Sequence, residues 1–114
     1  MVYIESPAGV GFSIAGTPED KIHNDLSQAN DLFIALQDFY AKFPDMFKND
    51  LYISGESYAG IYVPYLAWKI YQDNLIKELR KKPLINLKGI MVGNGATDFT
   101  VDVSPSFPQT IYGM

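Results

Sequence analysis

Cysteine is absent from this 114-residue chain, which excludes disulfides, thiolate metal sites and cysteine nucleophiles within it. Histidine is nearly absent: His23 is the only one, and one imidazole without a thiol leaves no dense metal-ligand set. No metal and no cofactor is therefore expected. There is no run of about 18 apolar residues, so no membrane-spanning helix is expected. The opening residues, Met1 to Pro7, have neither a basic stretch nor a long apolar one, and no signal peptide is visible there. Asn-x-Ser/Thr acceptors for N-glycans, internal repeats and linker-like segments are all missing. Basic residues are also scarce. The net charge is -4 and the pI about 4.7, which argues against a nucleic-acid-binding surface.

The acidity is uneven, with nine acids against three bases in residues 1–56 and four against six afterwards. Lys77, Arg80, Lys81 and Lys82 cluster where a helix should end, a position that favours cations beside the negative pole of the helix dipole. A solvated helix terminus explains that cluster better than a phosphate or membrane site. What the chain does have is apolar bulk. Hydrophobic residues reach 47%, with eight Tyr, seven Phe and one Trp, too apolar for disorder and of a length that suits one domain.

Val2-Tyr3-Ile4 is a short run of β-formers and reads as a buried strand, ended by the Pro and Gly residues of Glu5 to Ser13. Thr17-Pro18-Glu19-Asp20 has the features of a helix start, with Thr as cap and Pro at the first helical position. Asn24 or Asp25 caps a stronger helix. Leu26, Ala29, Phe33, Leu36, Phe39, Tyr40 and Phe43 then recur every three or four residues until Pro44 stops the pattern. Leu51-Tyr52-Ile53-Ser54 is a second strand. A second helix is predicted over about 58–80, kinked or split by Pro64, and a third strand over 85–92. Residues from Ser104 onward read as loop. Strand, helix, strand, helix, strand with apolar strands and helical crossovers predicts a parallel sheet in an α/β fold.

Three features are candidates for chemistry. Gly9-Val10-Gly11 begins like a dinucleotide-binding loop but lacks the third glycine, and no Gly-Lys-Ser/Thr phosphate cradle exists, so structural turns explain these glycines. His23 lies in a polar stretch 34 positions before the best nucleophile candidate, and a surface histidine is the better reading. The third candidate is Gly55-Glu56-Ser57-Tyr58-Ala59-Gly60, placed where the second strand gives way to the second helix. A Ser on such a turn presents its hydroxyl above the sheet, and small residues at 55 and 59 let the flanking backbone close up. The Tyr58 N–H at the helix N-terminus can donate to a developing oxyanion. Gly-x-Ser-x-small also arises by chance in strand-to-helix turns, but strand before and helix after favour a nucleophile.

Three blocks in order, Glu5 to Ser13, Gly55 to Gly60 with Tyr62 and Pro64, and Gly93-Asn94-Gly95-Ala96-Thr97-Asp98, resemble the serine carboxypeptidases. These are α/β-hydrolase exopeptidases of lysosomes, vacuoles and secretory compartments. The resemblance implies that residues 1–114 form a single, partial α/β-hydrolase domain carrying the nucleophile elbow. It implies Ser57 as nucleophile, the Tyr58 backbone as one oxyanion donor and Glu56 as a group binding the substrate's C-terminal carboxylate. The expected partners are peptides with a free C-terminal carboxylate. The family's catalytic Asp and His, its second oxyanion donor and its second carboxylate-binding Glu have no counterpart here; Glu5 is not that Glu. Residues 2–5 and 51–54 resemble strands that are not neighbours in the family, with another strand between them. The chain is accordingly expected to be a fragment, inactive alone, with Met1 internal to a longer protein. A carboxypeptidase-like acyltransferase and a non-catalytic remnant are the alternative readings.

Overall fold

The computed structural model describes residues 1–103. Its elements are a single 3₁₀ turn Glu19–Lys21, helix α1 (Asp25–Lys42), a second 3₁₀ turn Pro44–Lys48, strand β1 (Leu51–Glu56), helix α2 (Ala59–Leu79), strand β2 (Leu87–Gly93) and a π turn Phe99–Val103. β1 and β2 pair in parallel, with Ile53 opposite Ile90 and Glu56 opposite Gly93, and α2 is the crossover between them. The mixed helix and parallel-strand order is the expected α/β architecture.

Helix α1 begins at Asn24, whose side chain accepts the Ser27 N–H at 2.8 Å while the Ser27 hydroxyl accepts the Asn24 N–H at 2.9 Å. This reciprocal cap satisfies two of the donors a helix start leaves open and contributes about 1 kcal/mol. The helix ends as expected just before Pro44. Its Phe33, Leu36 and Tyr40 meet Leu66 and Ile70 of α2 and Ile85, and this cluster is the core, with Ile70 completely buried. Burial raises the Tyr40 phenol above its ordinary pKa. In β1 burial alternates along the strand, placing Leu51, Ile53 and Gly55 inward and Tyr52, Ser54 and Glu56 outward.

Three expectations need correction. Val2-Tyr3-Ile4 forms no strand and all three side chains are exposed, because no described strand lies beside them to complete a ladder. A cavity of about 390 Å³ separates Val2 and Ile4 from Ile53 and Gly55 of β1, with Leu32 and Leu36 of α1 on its wall. Thr17 caps nothing: its own N–H donates to the Asp20 carboxylate at 2.8 Å, and only a single 3₁₀ turn forms before the stronger Asn24 cap takes over. Pro64 does not divide α2, which runs unbroken from Ala59 to Leu79. Pro64 is the sixth residue of the helix, so it removes the bond to the Gly60 carbonyl and its ring crowds that oxygen, yet the turns on either side continue. The loop expected from Ser104 onward lies outside the described residues.

Candidate active site

β1 runs straight into α2 with two residues between them, and the turn is built on Ser57. Its φ of +61° lies in the left-handed region that side chains with a Cβ avoid, a strain of about 1–3 kcal/mol. Outliers of this kind concentrate at functional positions, and here the strained residue is the one with a nucleophilic hydroxyl. Ser57 is exposed, and among the described residues its hydroxyl has no hydrogen-bond partner.

The backbone of the turn is held from both sides. Ser57 N–H donates to the Gly93 carbonyl at 3.0 Å, which ties the turn to the end of β2. The Ser57 carbonyl accepts two bonds, from Gly60 N–H at 3.0 Å and from Ala96 N–H at 2.9 Å. That carbonyl shares one rigid plane with the Tyr58 N–H, which points the opposite way. Fixing the carbonyl therefore fixes the direction of the donor. The Tyr58 N–H itself has no partner among the described residues, and the N-terminal pole of α2 lies behind it. A substrate oxygen developing negative charge would find a ready donor there.

Small residues make this closure possible. A Cβ on Gly55 would land on the Ala59 methyl, and one on Gly60 would land on the Ala96 backbone. The expectation that residues 55 and 59 must be small is met, and Gly60 adds a third such position. The Gly93–Asp98 block supplies the loop that leans on Gly60. Asn94 takes a φ of +43° to turn it, and the Asp102 carboxylate gathers the Thr97 N–H and hydroxyl, both at 2.7 Å, and the Asp98 N–H at 2.9 Å. The Thr97 hydroxyl, then these amides, hold the Asp102 carboxyl below its ordinary pKa. Asp98 is likewise engaged, accepting the Thr100 and Val101 N–H groups at 2.7 and 3.1 Å.

Glu56 stands at the end of β1 with its side chain exposed beside Ser57. Glu5 braces its own loop: its carboxylate accepts the Phe12 N–H and its carbonyl accepts the Ser13 hydroxyl at 2.6 Å. His23 is half-buried rather than on the surface, and its Nε2 lies 3.1 Å from the Ala8 carbonyl, to which it donates. Its role is to pin the Gly-rich loop. Two partners of the elbow are not visible in local sequence. Ala96 lies 39 positions beyond Ser57, and Asp25, which accepts the Tyr58 hydroxyl at 3.1 Å, lies 33 positions before Tyr58. Glycines at 60 and 95 signal a close approach there, but nothing in the sequence names what approaches.

A strained serine between a parallel strand and its crossover helix, with an open amide after it, has the strand-turn-helix geometry found in the α/β-hydrolase class. The family model described as serine carboxypeptidase matches residues 1–114, and the chain belongs to that family. It is 44% identical over 98 residues to a serine carboxypeptidase-like protein of Oryza sativa, covering 86% of this chain and 22% of that one. Serine carboxypeptidase-like 49 of Arabidopsis thaliana is 41% identical over 109 residues, 96% of this chain and 20% of that one. The crystal structure of Kex1Δp, a prohormone-processing carboxypeptidase from Saccharomyces cerevisiae, superimposes with a TM-score of 0.79 at 26% identity, covering 97% of this chain and 24% of that one. The chain thus spans about a fifth of the length of the curated relatives it matches.

Proposed function

We propose that this chain carries the nucleophile of a serine-type carboxypeptidase, as part of one α/β-hydrolase domain. Ser57 attacks the carbonyl of a C-terminal peptide bond, the released residue departs with the transferred proton, and water then hydrolyses the acyl-serine. The Tyr58 N–H stabilises the oxyanion in both steps. By resemblance to the family, the general base and the acid that orients it are a His and an Asp other than those of this chain; His23 donates to Ala8, and Asp98 accepts from its own loop. Glu56, exposed beside Ser57, binds the substrate's terminal carboxylate. The observation that carries this reading is the positive φ of Ser57 joined to an unpartnered Tyr58 amide.

The substrates are peptides with a free C-terminal carboxylate, and the acidic balance of the chain disfavours nucleic acid. No helix of the described residues is long and apolar enough to cross a membrane. A lysosomal, vacuolar or secreted location fits the family. The test is Ser57→Ala in the native protein. Release of the last residue from a free-carboxylate peptide should fall by several orders of magnitude. Unchanged release would contradict the reading, and acyl transfer to an added alcohol in preference to water would favour the acyltransferase.

A further inference from the structure

The Tyr58 side chain leaves the elbow and crosses to the start of α1. Its hydroxyl donates to Asp25 Oδ1 at 3.1 Å, in a half-buried setting. Its ring lies against Tyr62, with centroids 4.9 Å apart, and against Phe99 at 6.0 Å. Asp25 is the first residue of α1, next to the Asn24–Ser27 cap, and α1 is anchored through Phe33, Leu36 and Tyr40. The phenol thus connects the turn to the start of α1.

This matters because of which atoms are otherwise fixed. The Ser57 carbonyl is held by Gly60 and Ala96, which sets one side of the Ser57–Tyr58 peptide plane. The other side of that plane ends at the Tyr58 Cα, where the only restraint beyond the helix itself is the Tyr58 side chain. A hydrogen bond to a carboxylate is stronger than one between neutral groups and directional enough to hold a ring in one rotamer. The same bond raises the phenol above its ordinary pKa, with desolvation and the Asp25 charge adding to it, so the hydroxyl remains a donor at neutral pH.

We infer that Asp25 is a positioning residue for acyl transfer: through the Tyr58 phenol it fixes the peptide that presents both Ser57 and the oxyanion donor. The inference rests on Ser57 being the nucleophile. Pre-oriented donors stabilise charge without reorganising during the reaction, so loosening this anchor slows acylation rather than weakening substrate binding.

The experiment is the pre-steady-state burst of an uncharged activated ester with the native protein. Burst amplitude counts competent sites, and the burst rate constant reads acylation at each of them. An uncharged ester also leaves carboxylate recognition by Glu56 out of the measurement. Asp25→Ala and Tyr58→Phe should each lower the burst rate constant by about tenfold, the rate equivalent of one well-placed hydrogen bond, while the substrate concentration that half-saturates the burst rate is unchanged. The double variant should be no slower than either single one, since both remove the same bond. Asp25→Asn, whose amide oxygen still accepts, should recover most of the rate. Tyr58→Phe keeps the ring contacts, so it carries the test if Asp25→Ala does not fold. A loss confined to burst amplitude, rates unchanged in both single variants, or losses that multiply in the double variant would overturn the positioning role. A wild-type protein with no Ser57-dependent burst would instead overturn the nucleophile assignment on which it rests.

Discussion

Ser57 holds a left-handed backbone conformation, and the strain that goes with it has a measurable sign. Glycine adopts a φ of +61° freely, so Ser57→Gly should raise the melting temperature of the native protein while abolishing turnover; Ser57→Ala, which keeps a Cβ, should not raise it. A lower melting temperature for the Gly variant would show that the Cβ is not strained. Glu56 makes a second residue-level prediction. Glu56→Ala should raise KM for a free-carboxylate peptide several-fold and leave an amidated peptide unaffected, because only the first presents the group that Glu56 is proposed to bind. Equal changes for the two peptides would remove Glu56 from carboxylate recognition. The turn that carries both residues was legible in the sequence because Gly-Glu-Ser-Tyr-Ala-Gly sits between a strand pattern and a helix pattern. Asp25 was legible only as a possible cap, since a contact across 33 positions leaves no local trace.

At the scale of elements, periodicity predicted α1, β1, α2 and β2 to within a few residues, because each carries enough apolar side chains to bury one face. Ile70 and Phe33 are buried where that periodicity puts them. The failures lie where local signals were sound but the tertiary partner was not there. Val2-Tyr3-Ile4 has strand composition without a neighbouring strand, and Thr17-Pro18 has helix-start chemistry with room for a single turn. The contact between α2 and the loop after β2 is the element-level feature on which the elbow depends. Gly60→Ala should push Ala96 away, loosen its bond to the Ser57 carbonyl and destabilise the protein by about 1–3 kcal/mol. Chemical denaturation would measure that loss. Activity per folded molecule should fall as well, and full activity with full stability would show that the loop yields without cost.

Among the described residues the molecule presents a sheet of two strands. β1 pairs with β2 along one edge, while its other side faces the 390 Å³ cavity toward Val2 and Ile4. The cavity is open to solvent and lined largely by apolar side chains, so that side of β1 is uncovered among the described residues. Large apolar side chains are exposed as well, Phe12 at 93%, Ile14 at 90% and Leu79 at 86% among them. A polypeptide of these 114 residues alone should therefore bind a hydrophobic dye and melt over a broad range. A sharp, dye-free transition of a monomer would show that the described core suffices. The proposed role of the elbow depends on this architecture, since a strand, a crossover helix and the loop after β2 together position Ser57 and the Tyr58 amide. Labelling with a fluorophosphonate, followed by mass spectrometry of the digested protein, tests that claim most directly. The native protein should carry a single adduct on the peptide containing Ser57, and the denatured protein none. An adduct on another residue, or equal labelling of Ser57 after unfolding, would contradict the account.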